Sequence, residues 1–171
     1  MANSIIHGNS LMLFVGGDAL AYATSHTFSM NLETNQISTK DHGESPATIG
    51  QSVTWEITTE NLYTTQDANK LRDAMISKKD VIVVFGRPDG YDTKGTDESI
   101  SEGGKGLSGV GAGSISAWKP DATDMFAAGR AKITSLSINA NAGENATYSA
   151  TLQGSGAFST TTIPTDSTQG Q

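Results

Sequence analysis

The stretch 129–158, GRAKITSLSINANAGENATYSATLQGSGAF, decides the fold class. In its second half Ala146, Tyr148, Ala150 and Leu152 fall on one face, and Thr147, Ser149, Thr151 and Gln153 on the other. That period-two alternation is the signature of a half-buried antiparallel strand. In its first half Ala131 and Ile133 share a face, but Leu136 and Ile138 are out of phase with them. Either a bulge lies near Ser135 or the strand is buried on both sides there. The turn Asn141-Ala142-Gly143-Glu144 supplies residues that tolerate positive φ. The two runs predict a hairpin on which the other strands take their register.

Working outward, 171 residues suit one domain able to bury most of its unfolded surface without staples. Cysteine is absent, so neither disulfides nor a thiolate metal site is available. Eighteen acidic against eleven basic residues give a net charge of −7, which argues against a surface built to grip phosphate. With 19 Ser, 21 Thr and 19 Gly, the composition favours strands, turns and polar loops over helices, so the class is mainly β. The apolar run 11–15 is too short to span a membrane and lacks the flanks of a secretory signal, which leads us to expect a soluble, cytoplasmically made protein.

Residues 1–10 form a polar arm without periodicity, 11–158 the β domain, and 159–171 a Ser/Thr/Pro/Gln tail with too little apolar content to fold. Residues 11–15 read as a short buried strand stopped by Gly16-Gly17-Asp18, with 19–23 returning along it. From Ser25 the alternation is strict: His26, Phe28, Met30 and Leu32 oppose Thr27, Ser29, Asn31 and Glu33. Residues 34–50 read as an exposed polar loop containing Pro46. Alternation resumes with Val53, Trp55 and Ile57 opposite Ser52, Thr54, Glu56 and Thr58. Residues 65–79 carry a helical stripe of Ala68, Leu71, Ala74 and Met75, and 81–85 form a continuous β-branched run closed by Gly86. Residues 87–113 are a long Gly/Ser/Asp loop of a length that is usually functional or disordered. Residues 115–118 read as a short strand and 121–128 as a turn or short helical piece.

No reactive chemistry emerges. Gly104-Lys105-Gly106-Leu107-Ser108-Gly109 matches G-x-G-x-x-G, but it follows no predicted strand and opens no helix. His7, His26 and His42 have no partners at metal-ligand spacing, and there is no G-x-S-x-G elbow. Asp97 with Glu98, and Glu56 with Glu60, read as solvated acids and not as a glycosidase pair. The sequon Asn145-Ala146-Thr147 is incidental to a Thr-rich strand, and Trp55 and Trp118 read as core residues before sugar platforms. No catalytic, cofactor-binding or metal-binding residue is assigned, and no cofactor is expected.

Several pieces taken in order carry a resemblance: Thr24-Ser25-His26-Thr27-Phe28-Ser29 leading to Glu33-Thr34, then Ser38-Thr39-Lys40-Asp41, then Trp55 with Thr58 and Glu60-Asn61-Leu62, and the run G-E-N-A-T-Y-S-x-T-L-x-G-x-G from Gly143. Together with one mid-chain helix, they make residues 11–158 resemble a major tail tube protein of long-tailed (Caudovirales-type) bacteriophages. The long Gly-rich insertion departs from that pattern. The resemblance implies an antiparallel β-sandwich or barrel-like fold with one flanking α-helix, and hexameric rings stacked into a tube through which DNA is ejected. It implies a structural virion protein, not an enzyme, located in the tail and assembled in the host cytoplasm. Its partners would be further copies of itself and the tail tip, tape measure and tail terminator proteins. DNA would pass without specific binding, and no membrane is involved.

Parity then assigns candidates. Thr27, Ser29, Asn31, Glu33, Thr54, Glu56, Thr58, Thr147, Ser149 and Thr151 form polar faces expected to line the bore, with Lys132 the awkward member. The loop residues Arg87, Asp89, Tyr91, Asp92, Lys94, Asp97, Glu98 and Lys105 are expected to reach the adjacent ring and order on assembly. The competing reading is a secreted carbohydrate-binding or adhesin-type β-sandwich, which requires exposed aromatics on a concave sheet and a secretion signal. A small hydrolase ranks third, for want of a recognisable triad.

Overall fold

The computed structural model describes residue 8 and residues 11–20, 22–37, 47–88 and 119–165. Among these are seven strands, β1 Met12–Val15, β2 Asp18–Ala19, β3 Ala23–Ile37, β4 Ala47–Leu62, β5 Val81–Pro88, β6 Pro120–Asn139 and β7 Thr147–Gly154, and one α-helix, α1 Thr65–Ile76. All pairings are antiparallel, in the order β2-β1-β5-β6-β7-β4-β3. The chain is mainly β, as its alternation predicts.

The long strand β6 divides this sheet into two layers. Its pairing with β5 runs from Pro88↔Pro120 to Val81↔Ala131, and its pairing with β7 from Ala131↔Gly154 to Asn139↔Thr147. Ala131 is therefore the handover point. The outer layer is β2-β1-β5 with the first half of β6, and the inner layer is the second half of β6 with β7-β4-β3.

The layers close on each other through aromatic rings. Phe28 on β3 stacks on Phe85 of β5 at 6.1 Å between centroids and meets Phe126 of β6 edge-on at 5.3 Å. Since β6, β7 and β4 lie between β3 and β5 in the sheet, those contacts require it to curl over a common core. That core joins Leu13, Val15, Val83 and Phe85 to Trp55, Ile57, Ile133, Tyr148 and Leu152, with Leu71 of α1 buried among them. Thr64 caps α1 by accepting from the Asp67 amide, and Asp67 lies in the first turn, where the helix dipole favours an acid.

The phase conflict in the first half of the hairpin is resolved by a bulge. The register jumps between Ile133 and Ser135, so Ile133 faces Leu152 while Leu136 and Ile138 pair with Ala150 and Tyr148 on the same side. The turn between them has Gly143 at φ +84.

Three readings are corrected. Residues 34–37 and 47–50 are not loop but continue β3 and β4 as a paired ribbon. Residues 121–128 are neither turn nor helix but belong to β6, held by backbone pairing with β5 that needs no apolar alternation. Arg87 and Pro88 belong to β5, so the long loop begins after them. The strand expected at 115–118 lies outside the described residues.

Behind β7 the chain turns along the flank of β6 that β5 leaves open. Ser159 exchanges backbone hydrogen bonds with Ala128, each 2.7 Å, and Arg130 Nη2 donates to the Thr165 carbonyl at 3.0 Å. Ile163 packs on a second apolar cluster, Phe14, Ala19, Val84, Met125 and Ala128, on the far face of the outer layer.

Trp55 occupies the handover region, donating from Nε1 to the Gly156 carbonyl at 2.9 Å. A Cβ on Gly129 would come within 2.7 Å of its Cζ2, and one on Gly154 would fall inside the indole. Gly154→Ala is therefore expected to lower stability by about 1–3 kcal/mol through overpacking, read as a drop in the urea midpoint with a shift in tryptophan emission.

Candidate functional site

The inner layer carries the feature that chemistry must explain. Directly opposed residues of an antiparallel ladder share a face, so the registers fix which side chains stand together. One row runs Thr27, Thr58, Thr151, Ser135; the next on either side runs Ser29, Glu56, Gln153, Lys132 and Ser25, Glu60, Ser149, Ser137. Asn31 stands beside Thr54, Glu33 beside Ser52, and Leu62 beside Thr147 and Asn139. All ten residues singled out by parity thus lie on one face of one four-strand layer.

The opposite face of the same strands is the core. Trp55, Ile57, Tyr148, Ala150 and Leu152 are buried, whereas Thr27, Asn31, Glu33, Thr54 and Glu56 are exposed and Ser29, Thr58, Thr147, Ser149 and Thr151 half-buried. Parity sets Gln153 on the polar side of its strand without counting it among the bore residues, and it misses Glu60, Ser135 and Ser137. The last two were hidden because the bulge sets their phase, and only the Ile133/Ser135 shift reveals it. Thr134, the bulged residue, turns its hydroxyl to the Thr151 carbonyl at 3.2 Å.

Charge on this face is one-sided. Strands β3, β4 and β7 contain no Lys or Arg at all, while Glu33, Glu56 and Glu60 stand on their polar side. Lys132 is neutralised locally: its Nζ lies 2.7 Å from Asp80 and donates to the Lys78 carbonyl at 3.1 Å. The other described cations cluster elsewhere, on α1 and its C-terminal end, at the bases of β5 and β6, and at Arg130. Asp18 bridges Lys70 and Lys119 there, and those partners hold its carboxyl below the usual range.

Neither flank of the inner layer has a neighbouring strand among the described residues. β3 pairs with β4 on one side only, and residues 132–139 of β6 have no strand on the flank away from β7, because β5 stops at Ala131. Beyond Glu56 the β3–β4 ribbon runs past the end of β7 with no third strand. There Met30, Leu32 and Val53 continue the core-facing side but remain about half exposed. At its base Leu11, Phe28, Met30, Phe85, Met125 and Phe126 line an open hollow of about 550 Å³.

Of the proposed loop residues, Arg87 is part of β5 and 91% buried, its Nη1 2.9 Å from the Asp124 carboxylate. Asp89, Tyr91, Asp92, Lys94, Asp97, Glu98 and Lys105 lie outside the described residues, as do the glycine motif at 104–109, His7, His42 and Trp118. No group of three or more His, Asp or Glu among the described residues is arranged to hold a metal ion, and no described helix is long and apolar enough to cross a membrane. Trp55 is buried, and no aromatic side chain stands in the polar rows.

The exposed pair Lys132–Asp80 holds charge in place more than it holds the fold together. Lys132→Gln is expected to shift unfolding free energy by no more than about 1 kcal/mol in urea titrations, leaving the face free of cations.

No protein-family model and no curated sequence matches the chain. Among solved structures, it is similar to a chain in the virion of the native gene transfer agent particle, with a TM-score of 0.61 at 14% identity over 91% of this chain and 98% of that one. The same values hold for a chain in the tail of the empty gene transfer agent particle, which has C6 symmetry. The SPP1 tail tube matches with a TM-score of 0.57 at 12% identity, over 89% of this chain and 77% of that one. The two-layer domain built around β6 is thus a fold shared with these virion, tail and tail tube chains.

Proposed function

We propose that this chain is the structural subunit of a phage-type tail tube: rings of six copies, stacked, with the polar face of the inner layer lining a bore through which DNA is ejected. The observation that carries this reading is a continuous four-strand hydroxyl and carboxylate face that, among the described residues, has no unpaired cation and no strand on either lateral flank. The ring number is carried over from the C6 symmetry of the similar tail.

Open flanks on a sheet are pairing sites unless they are blocked, and neither β3 nor residues 132–139 of β6 carries a proline. Joining β3 of one copy to the second half of β6 in the next satisfies both, and a head-to-tail contact of this kind closes into a ring of six when each step turns by a sixth of a circle. Six four-strand layers spaced about 4.8 Å apart give a backbone barrel about 37 Å across before strand tilt widens it. After side chains are subtracted, a duplex still fits.

Inside such a bore the chemistry is that of low friction. Each Lys or Arg that neutralises a phosphate releases counterions and adds sequence-independent affinity, so a cationic wall would hold the duplex in place. Hydroxyls and a few carboxylates offer no such traps. The half-exposed apolar side of the β3–β4 ribbon, together with the loop residues Asp89 to Lys105, is suited to contacts between copies and between rings, since a two-stranded ribbon is marginal alone. In this reading the protein is not an enzyme. Its other partners are the tail tip, tape measure and tail terminator proteins, and it is built into the virion tail in the host cytoplasm.

Electron microscopy of the purified protein tests the proposal: rings or tubes are expected, and a persistent monomer under all assembly conditions refutes it. Tubes of Thr58→Lys/Thr151→Lys are expected to retain duplex DNA with affinity that falls steeply with salt, whereas unmodified tubes retain none. Leu32→Asp/Val53→Asp is expected to leave the monomer's urea midpoint nearly unchanged and to abolish tubes.

A further inference from the structure

One chain of polar side chains crosses the interior of the inner layer. His26 on β3 faces the core beside Phe28, with Nδ1 2.8 Å from Thr59 Oγ1 on β4. The Asn61 Nδ2 amide donates to that same oxygen at 2.9 Å. Thr59 and Asn61 are completely buried, and Tyr148 of β7 is 1% exposed beside Asn61. Beyond the Asn61 contact Thr59 Oγ1 keeps its proton and a second lone pair, so it either donates to Nδ1 of a ring protonated at Nε2 or accepts from Nδ1–H. Nε2 is buried without a hydrogen-bond partner among the described residues, and the ring lies edge-on to Phe85 of β5 at 6.4 Å.

We propose that His26 is a proton-operated latch on β3: the neutral ring closes this edge strand onto the outer layer, and the imidazolium releases it. Protonation would place a charge between the layers and make both ring nitrogens donors, with Nε2 buried and without an acceptor among the described residues. Among the described residues nothing packed against the ring compensates. β4 contributes uncharged Thr59 and Asn61, with Glu60 turned to the opposite face, and β5 contributes Phe85, its Arg87 being ion-paired with Asp124. β7 contributes Tyr148, whose hydroxyl burial keeps protonated, and the chain entering β3 contributes Tyr22. Asp67 of α1 acts on Tyr148 and is bonded to Thr64. Burial correspondingly holds His26 well below the usual range, at about 4.

A released strand has its histidine in water, with an ordinary value near 6.5. Between about pH 6.5 and 4 the released form therefore binds a proton that the closed form does not. Closure is fully favoured above that window and weakens as pH falls through it, the opening constant rising about tenfold per pH unit. That β3 also supplies the ring-closing flank, so that acid would open rings, rests on the proposed tube function; the latch itself is a property of the free subunit.

The test is amide hydrogen exchange of the purified subunit from pH 7 to 4, expressed as protection corrected for intrinsic rates, together with NMR titration of the His26 ring. Protection in residues 25–33 is expected to fall about tenfold per unit below pH 6.5 while that in 148–152 holds. His26→Gln, which keeps an acceptor for Thr59 but takes no proton there, is expected to flatten the profile, and Thr59→Val to move release to higher pH. A His26 value near 6.5 with unchanged β3 protection, an identical profile in His26→Gln, or loss of β3 and β7 protection together would overturn the latch. If His26→Gln does not fold, the titration and exchange of the unmodified protein decide alone. Absence of tubes at pH 7 would instead count against the tube function and leave the latch standing.

Discussion

β6 has two flanks and spends them on different partners: β5 holds one flank up to Ala131, and β7 holds the other from Ala131 onward. That handover turns one long sheet into two layers and sets where backbone groups are left over. Among the described residues, no strand pairs with 120–130 on the β7 side, and none pairs with 132–139 on the β5 side. The first gap is partly covered within the chain by the Ser159–Ala128 exchange. The second has no covering strand among the described residues, and together with β3 it defines the lateral flanks of the polar layer. Buried backbone groups must find partners, so a fold with this handover favours either a covering segment or a neighbouring copy.

The same constraint explains what the sequence could and could not reveal. Alternation was legible wherever one side of a strand meets the core and the other meets water, as at Thr27 to Glu33, Ser52 to Thr58 and Thr147 to Gln153. The bulge near Ser135 was legible as one of two alternatives because Leu136 and Ile138 fall out of phase with Ile133, and the register selects it. Where both sides of a strand meet water, periodicity carries little signal. Residues 34–37 and 47–50 are strands through backbone pairing, with Ile37 and Ile49 left exposed, and 121–124 continue β6 with little burial, so local reading takes them for loop, turn or helix. The residues that share the polar face across strands were readable one strand at a time; their assembly into rows depends on registers that only tertiary pairing supplies.

A sheet with one face given over to hydroxyls must draw its cohesion from the other. Here large rings do this work: Phe28 touches Trp55, Phe85, Phe126 and Phe158, so β3, β4, β5, β6 and the segment after β7 meet at one side chain. Trp55 is in turn seated over Gly129 and Gly154, which flank the handover and leave room for an indole because neither has a Cβ. These glycines answer to packing, not to backbone freedom, since neither has a positive φ.

Cohesion and charge are segregated by the same alternation. In β3, β4 and β7 every large aromatic is on the core side and no Lys or Arg occurs, so the side left for function has little to attract phosphate. The one cation in the layer, Lys132, sits where β6 leaves β5, close enough for Asp80 at the start of β5 to neutralise it. A lysine one row further along β6 would be out of reach of that carboxylate and would stand as an unpaired charge among hydroxyls. The position of Lys132 is therefore tied to the handover: the only place in these rows where a cation meets a built-in counter-charge is where the outer layer ends.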